Sequence, residues 1–160
     1  MLTKEQRREL IMKIRQFPAA VETAVRGLSE AQLDTCYGEG KWEVRQVVHH
    51  LADSHLIAFA RTKQILAEEE PKLFAYDQDE WARTAEASSG SPVASSLMIL
   101  RGVHERWAFL LGALPEPAWA RKGIHFRRGE MTLDDLLTLY ARHGDSHVKQ
   151  ITDLRAARGW

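Results

Sequence analysis

Apolar residues recur at three- and four-residue steps along most of the chain, which is the period of amphipathic α-helices. The pattern predicts four long helices, from Thr3 to about Leu28, from Trp42 to about Leu66, from Val93 to about Leu114 and from Thr132 to Gly159. Pro18 lies inside the first and is expected to interrupt or kink it. Antiparallel packing of four such segments gives a four-helix bundle, so we predict an all-α fold.

Shorter elements are predicted between the long helices. Residues 29–33 form one helical turn, and residues 77–81 indicate a short helix within the long connection from Lys72 to Pro92. A connection of that length in a small domain often carries function. Residues 124–131 predict a small loop or hairpin, with its turn at Arg128-Gly129-Glu130.

Length and composition suit one domain over residues 1–160, with 44% hydrophobic and 28% charged residues. Lysine plus arginine and aspartate plus glutamate number 22 each, so net charge gives no reason to expect nucleic acid or a membrane surface as a partner. No stretch approaches the roughly 18 apolar residues of a membrane span, and we see no signal peptide. The lone cysteine, Cys36, suits a reducing compartment, so we expect a cytoplasmic protein.

Candidate chemistry lies in the last helix, where His143 and His147 stand four residues apart. At about 3.6 residues per turn, both fall on the apolar stripe and face the core. Buried imidazoles need partners for their ring nitrogens. The pair is therefore either structural, with each ring bonded to a core group, or part of a metal site. The stripe consists of Leu133, Leu136, Leu137, Tyr140, Ile151 and Leu154.

A catalytic zinc site usually takes three protein ligands, so the pair needs one more from another helix. His50, His55 and His104 are the candidates. Helical geometry places His55 and His104 deeper and His50 at the margin of its stripe, where a cleft could open, and it leaves the choice open. His49 is expected to face solvent.

Three further residues are weighed for the site. Asp53, one turn beyond His50, could orient a ligating imidazole or take a proton from water, although an exposed helical carboxylate is the more ordinary role. Gln150 and His104 could border the pocket. Cys36 has no histidine neighbour in sequence and is assigned no role.

The segment Gly40-Lys-Trp-Glu-Val-Arg-Gln-Val-Val-His-His-Leu-Ala-Asp-Ser-His55 resembles the second-helix signature of the YfiT-like metal-dependent hydrolases of the DinB/YfiT superfamily. Further segments fit the family in order, and the resemblance covers nearly the whole chain. They are Leu33-Asp-Thr, Tyr76-Asp, Trp81, His104-Glu-Arg-Trp107 and Leu139-Tyr-Ala-Arg-His143.

The resemblance implies an up-down four-helix bundle that forms a homodimer in the cytoplasm. It also implies one divalent metal per subunit, zinc or nickel, held by three histidines. By position these are His50, His143 and His147. Asp145, Ser146 and Gln150 stand where relatives carry additional histidines.

Three functions compete. The first is a metal-dependent hydrolase that activates water against a small-molecule substrate. The second is a metal-dependent S-transferase that uses a low-molecular-weight thiol such as bacillithiol, and the same ligands would serve it. The third is a non-catalytic bundle whose metal only ties helices together.

Overall fold

The computed structural model describes residues 1–88 and 90–160 as a predominantly helical chain. The elements in order are α1 (Lys4–Val25), α2 (Glu30–Leu33), α3 (Val44–Ala67), α4 (Gln78–Ala82), α5 (Val93–Gly112), a 3₁₀ turn (Glu116–Ala120), β1 (Lys122–His125), β2 (Gly129–Thr132) and α6 (Leu133–Arg158). The predicted short helix and hairpin are both present.

The four long helices form a four-helix bundle, as predicted. Consecutive helices do not all pack side by side in it. Helices α1 and α3 each pack against both α5 and α6. The pairs α1–α3 and α5–α6 therefore lie across the bundle from each other. In the described ranges no helix has the length and apolarity needed to cross a membrane.

Helix ends follow local chemistry. Thr132 caps α6 in a reciprocal capping box with Asp135, and Gly159 ends it in the left-handed conformation at φ 69°. Helix α3 begins at Val44 rather than at the predicted Trp42, because Glu43 is the N-cap. The hairpin turn differs slightly from prediction: Gly129 already belongs to β2.

Of the two effects predicted for Pro18, the interruption is wrong, since α1 runs unbroken through it, and the kink stays a prediction. Proline has no N–H to donate to the carbonyl of Ile14, four residues earlier. That carbonyl instead lies 2.5 Å from Nδ1 of His104 on α5. A neighbouring helix therefore supplies the hydrogen bond that proline cannot.

The apolar core consists of two clusters with histidines between them. One cluster includes Trp107 and Tyr140, and the other includes Phe17 and Leu51. On α3, α5 and α6, the histidines of the bundle interior fall between the residues of one cluster and those of the other, except His50, which lies within the second cluster's part of α3. A polar layer therefore crosses the middle of the bundle.

The expectation that His49 faces solvent is wrong. Its side chain is buried, and Nδ1 lies 2.7 Å from Oγ of Ser96 on α5. Helix α3 also contacts α2, α4 and β1, so little of its circumference reaches solvent. A single-face helical pattern does not anticipate this coverage.

Gly144 is a point where the core allows no side chain. A Cβ there would lie 2.5 Å from the ring of Phe17, which stacks on His55 with ring centroids 4.6 Å apart. We predict that Gly144→Ala lowers the free energy of unfolding by about 1–3 kcal/mol, as overpacking does. Urea unfolding with a chelator present measures it.

Gly102→Ala is the matched control, because Gly102 is also helical and a Cβ there meets nothing within 4 Å. It is expected to raise the free energy of unfolding by about 0.5–1 kcal/mol, the usual gain for alanine over glycine. Equal effects of the two substitutions would contradict the close packing of Phe17 on Gly144.

Candidate metal centre

Three histidines from two helices converge at one end of the polar layer. His50 of α3 and His143 and His147 of α6 each place a ring nitrogen within 4.8 Å of the others. Nε2 of His50 and Nε2 of His143 are 3.2 Å apart. These are the three histidines to which the family resemblance points.

Trp42 packs against two of the three histidines, His50 and His147. Its ring centroid lies 4.7 Å from that of His50 and 6.4 Å from that of His147, with the latter pair of rings nearly parallel. The indole therefore limits the motion of both imidazoles.

A series of hydrogen bonds connects His143 to the interior of the bundle. Nε2 of His55 lies 3.3 Å from Nδ1 of His143, and Nδ1 of His55 lies 2.9 Å from Nε2 of His104. The series ends at the Ile14 carbonyl beside Nδ1 of His104. His55 and His104 are both fully buried.

The Ile14 carbonyl fixes the direction of every bond in this series. A carbonyl only accepts, so His104 carries its proton on Nδ1. Nε2 of His104 then accepts from Nδ1 of His55, and Nε2 of His55 accepts from Nδ1 of His143. As a neutral ring with its proton on Nδ1, His143 keeps a lone pair on Nε2, the atom that faces His50.

Gln150 orients His147 in the same sense. Its Oε1 lies 2.7 Å from Nδ1 of His147, and an amide oxygen only accepts. Nδ1 of His147 therefore carries the proton, and Nε2 is left as an electron-pair donor. Both α6 histidines are thus set in the protonation form that a metal ligand needs.

Burial keeps these imidazoles neutral. It lowers the pKa of His143 to about 3 and that of His104 to about 4, and it also lowers the pKa of His147. For His50, burial and then the charges of His143 and His147 lower the pKa to about 2. At neutral pH no proton competes strongly for the ring nitrogens.

A cavity of about 410 Å³ opens beside His143, between α3, the hairpin and α6. Tyr140, Tyr76 and Ser54 form its wall near the histidines, and its size is that of a small-molecule site. The cavity therefore reaches the centre at His143.

The other predicted site residues lie as follows. Asp53 is half-buried and makes no hydrogen bond to the three histidines within the described chain. Gln150 contacts His147 directly. His104 is not at the pocket border, where it was expected, because it is fully buried behind His55.

Sequence reasoning missed the joint role of His55 and His104, which it treated as rival ligands. The spacing of Pro18 after Ile14 was the available signal, because it marks a buried carbonyl that needs an outside donor.

We predict that His104, His55 and His143 all carry their proton on Nδ1 at pH 7.5. Long-range ¹H–¹⁵N spectra of the metal-free protein distinguish Nδ1–H from Nε2–H rings. The expected spectrum shows a bare Nε2 for these three rings and also for His147, whose Nδ1 donates to Gln150. A proton on Nε2 of His104 instead of Nδ1 would contradict the hydrogen bond from His104 to the Ile14 carbonyl, on which the other directions depend.

The chain is similar to proteins that are named as metal-dependent hydrolases. A chain of 44% identity from Geobacillus thermodenitrificans, named "Putative metal-dependent hydrolase", matches over 157 residues, which are 96% of this chain and 86% of that one. YfiT of Bacillus subtilis, which bears the same functional name, is 38% identical over 99% of this chain and 89% of its own.

The solved structure of Bacillus subtilis YfiT, described as a four-helix bundle of unusual topology, superposes with a TM-score of 0.97. It covers all of this chain and 91% of its own at 37% identity. The DinB superfamily pattern matches residues 13–151. On these matches, which extend over most of its length, the chain belongs to the DinB superfamily.

Proposed function

We propose that this chain is a metal-dependent hydrolase of small molecules. One zinc or nickel ion would be held by His50, His143 and His147. The convergence of three ring nitrogens, one of them from a histidine that lines a cavity, carries the proposal. The cavity also favours catalysis over a purely structural metal, which needs no access from solvent.

The donor set fits such an ion. Zinc–nitrogen bonds of about 2.0–2.1 Å in a tetrahedral site separate two ligand nitrogens by about 3.3–3.4 Å. The Nε2 atoms of His50 and His143 are 3.2 Å apart. Imidazole nitrogen suits nickel as well as zinc, so both ions are named.

Three neutral ligands leave the full positive charge of the ion in place. A divalent ion there would supply Lewis-acid polarisation of the substrate and lower the pKa of water. The protein groups around it have separate tasks. Gln150 and His55 keep two ligand rings oriented, and Trp42 packs against the ring of His50.

Asp53 is proposed as the proton acceptor. Burial, and secondarily the charge of Glu86, raises the pKa of its carboxyl group to about 6. Such a carboxylate is still ionised at neutral pH and accepts a proton more readily than an ordinary aspartate. Burial first, and then the charges of Tyr140 and Asp53, raise the pKa of Tyr76, which lines the cavity. Asp53 directly precedes Ser54, which also lines the cavity.

We predict that the protein binds one zinc or nickel ion and that His143→Ala weakens binding by more than about 100-fold. Loss of a partner that only orients a ligand costs roughly 10- to 100-fold, and Gln150→Ala is expected in that range. Competition titration against a chromogenic chelator gives both affinities. His49→Ala is the matched control, since His49 is also buried on α3 but lies outside the cluster. Equal metal affinity in wild type and His143→Ala would refute the site.

We predict that metal-loaded protein hydrolyses members of a panel of activated esters and anilides. Its kcat/KM should fall about tenfold per pH unit below pH 6, because protonation of Asp53 removes the base. Asp53→Asn is expected to lose about 10²- to 10⁴-fold in kcat and to lack this acidic limb. Metal content measured at each pH separates loss of the ion from loss of the base.

The same panel, repeated with small thiols and an electrophile, tests the S-transferase alternative. Thiol conjugation without any hydrolysis would replace the proposed reaction by that alternative. An Asp53→Asn variant whose pH profile matches wild type would remove Asp53 from the proposal and leave the metal site intact. The homodimer and the cytoplasmic location stay predictions.

A further inference from the structure

The cavity beside the histidines has a strongly one-sided charge. Three arginines lie in its wall, Arg61 at depth and Arg127 and Arg128 on the hairpin turn. None of its lining residues in the described chain is an aspartate or a glutamate. A wall of this composition attracts anions and concentrates them at the mouth.

Arg61 is the most informative of the three, because its side chain is buried and its partners are neutral. Nε and one terminal nitrogen donate to the carbonyl of Phe74, at 3.0 and 2.6 Å. The other terminal nitrogen donates to the hydroxyl of Tyr140, at 3.0 Å. A buried guanidinium normally has a carboxylate nearby, because an uncompensated charge in the interior is costly.

No ion pair joins Arg61, Arg127 or Arg128 to a carboxylate in the part of the chain that the structure describes. Elsewhere the fold does pair its buried arginines. Arg7 binds Asp134 at 2.7 Å, and Arg45 binds Asp34 at 2.6 Å. The absence of an anion beside Arg61 is therefore particular to the cavity.

The three arginines act on one region. His125, at the end of β1, also lines the cavity, and its pKa is lowered by burial and then by the charges of Arg61, Arg128 and Arg127. All three cations line the same cavity as this imidazole. Tyr140, which accepts from Arg61, lies one turn before His143 on α6, with their ring centroids 5.7 Å apart.

We propose that Arg61, Arg127 and Arg128 form a subsite for an oxyanion, so that the substrate is a small molecule that carries a carboxylate or a phosphate group. The guanidinium groups supply several N–H donors for bidentate contact with such a group. With the anion held there, the rest of the substrate extends along Tyr140 towards His143. The inference rests on the proposed function only in its statement that the other end of the substrate reacts at the metal.

Malonate and inorganic phosphate are the probes, and uncharged malonamide is the control ligand. Each is titrated into the metal-loaded protein and into chelator-treated protein, and ¹H–¹⁵N spectra follow the Arg61 Nε–H and the His125 ring. We expect saturable binding of at least one anion in both samples and none of malonamide. The two anions distinguish a carboxylate from a phosphate preference.

Arg127→Ala/Arg128→Ala is expected to weaken anion binding by about tenfold or more, because hydrogen bonds to charged groups are lost. Both side chains are exposed, so the fold should be retained. Arg8→Ala/Arg158→Ala removes the same charge from exposed positions away from the cavity and should leave binding unchanged. Arg61→Gln should weaken binding at least as much, with its fold checked by the same spectra.

Four outcomes would overturn the subsite. They are no saturable anion binding in either sample, equal binding of malonamide, equal losses in the two double variants, and binding that requires the metal, since the anion would then be a ligand of the ion. Failure of metal binding is measured separately by chelator competition. It would therefore remove the proposed function while leaving an anion site demonstrated in chelator-treated protein.

Discussion

The carbonyl oxygen of Ile14 is the fixed point on which the orientation of the metal centre depends. In an ordinary helix it would accept from the residue four positions on, but Pro18 has no N–H. A buried acceptor without a donor costs about 1–3 kcal/mol, and so does a buried donor without an acceptor. Nδ1–H of His104 on α5 supplies the donor that Pro18 on α1 cannot, and the freed Ile14 carbonyl supplies the acceptor that His104 needs. Because the carbonyl can only accept, the bond also sets the proton on every ring as far as His143.

This arrangement has a cost that an apolar core would avoid. The histidine layer interrupts the two hydrophobic clusters and desolvates several imidazoles at once. Satisfied polar networks of this kind rigidify a core, whereas half-satisfied ones weaken it. Among the described residues, Nε2 of His49 and Nε1 of Trp107 are buried without a partner. Stability is thus lower around the centre than it could be, which is common where function sets the residue type.

Periodicity predicted the long helices because each presents one apolar face, and it predicted His143 and His147 as an inward pair for the same reason. It could not choose the third histidine, since a helical pattern does not say which helices meet: α6 packs against α3, and its neighbour in sequence, α5, lies across the bundle. The resemblance pointed to His50. The expectations of an interruption at Pro18 and of an exposed His49 were wrong because the surroundings of both residues come from other helices, which a single-helix pattern does not contain. Nothing in the sequence singled out Arg61, because its lack of a counter-ion is a property of the folded cavity.

The sequence offered two interpretations of His143 and His147, as a structural pair or as metal ligands, and the structure is compatible with both at once. His143 uses Nδ1 for a core hydrogen bond and retains Nε2 for an ion, and His147 divides its nitrogens in the same way between Gln150 and the cluster. Neutral ligands would leave the charge of an ion undiminished, and the arginines of the cavity add to that positive field. In a chain of zero net charge, such local asymmetry arises only from placement. The same histidines that complete the core would therefore also set the charge that a substrate meets.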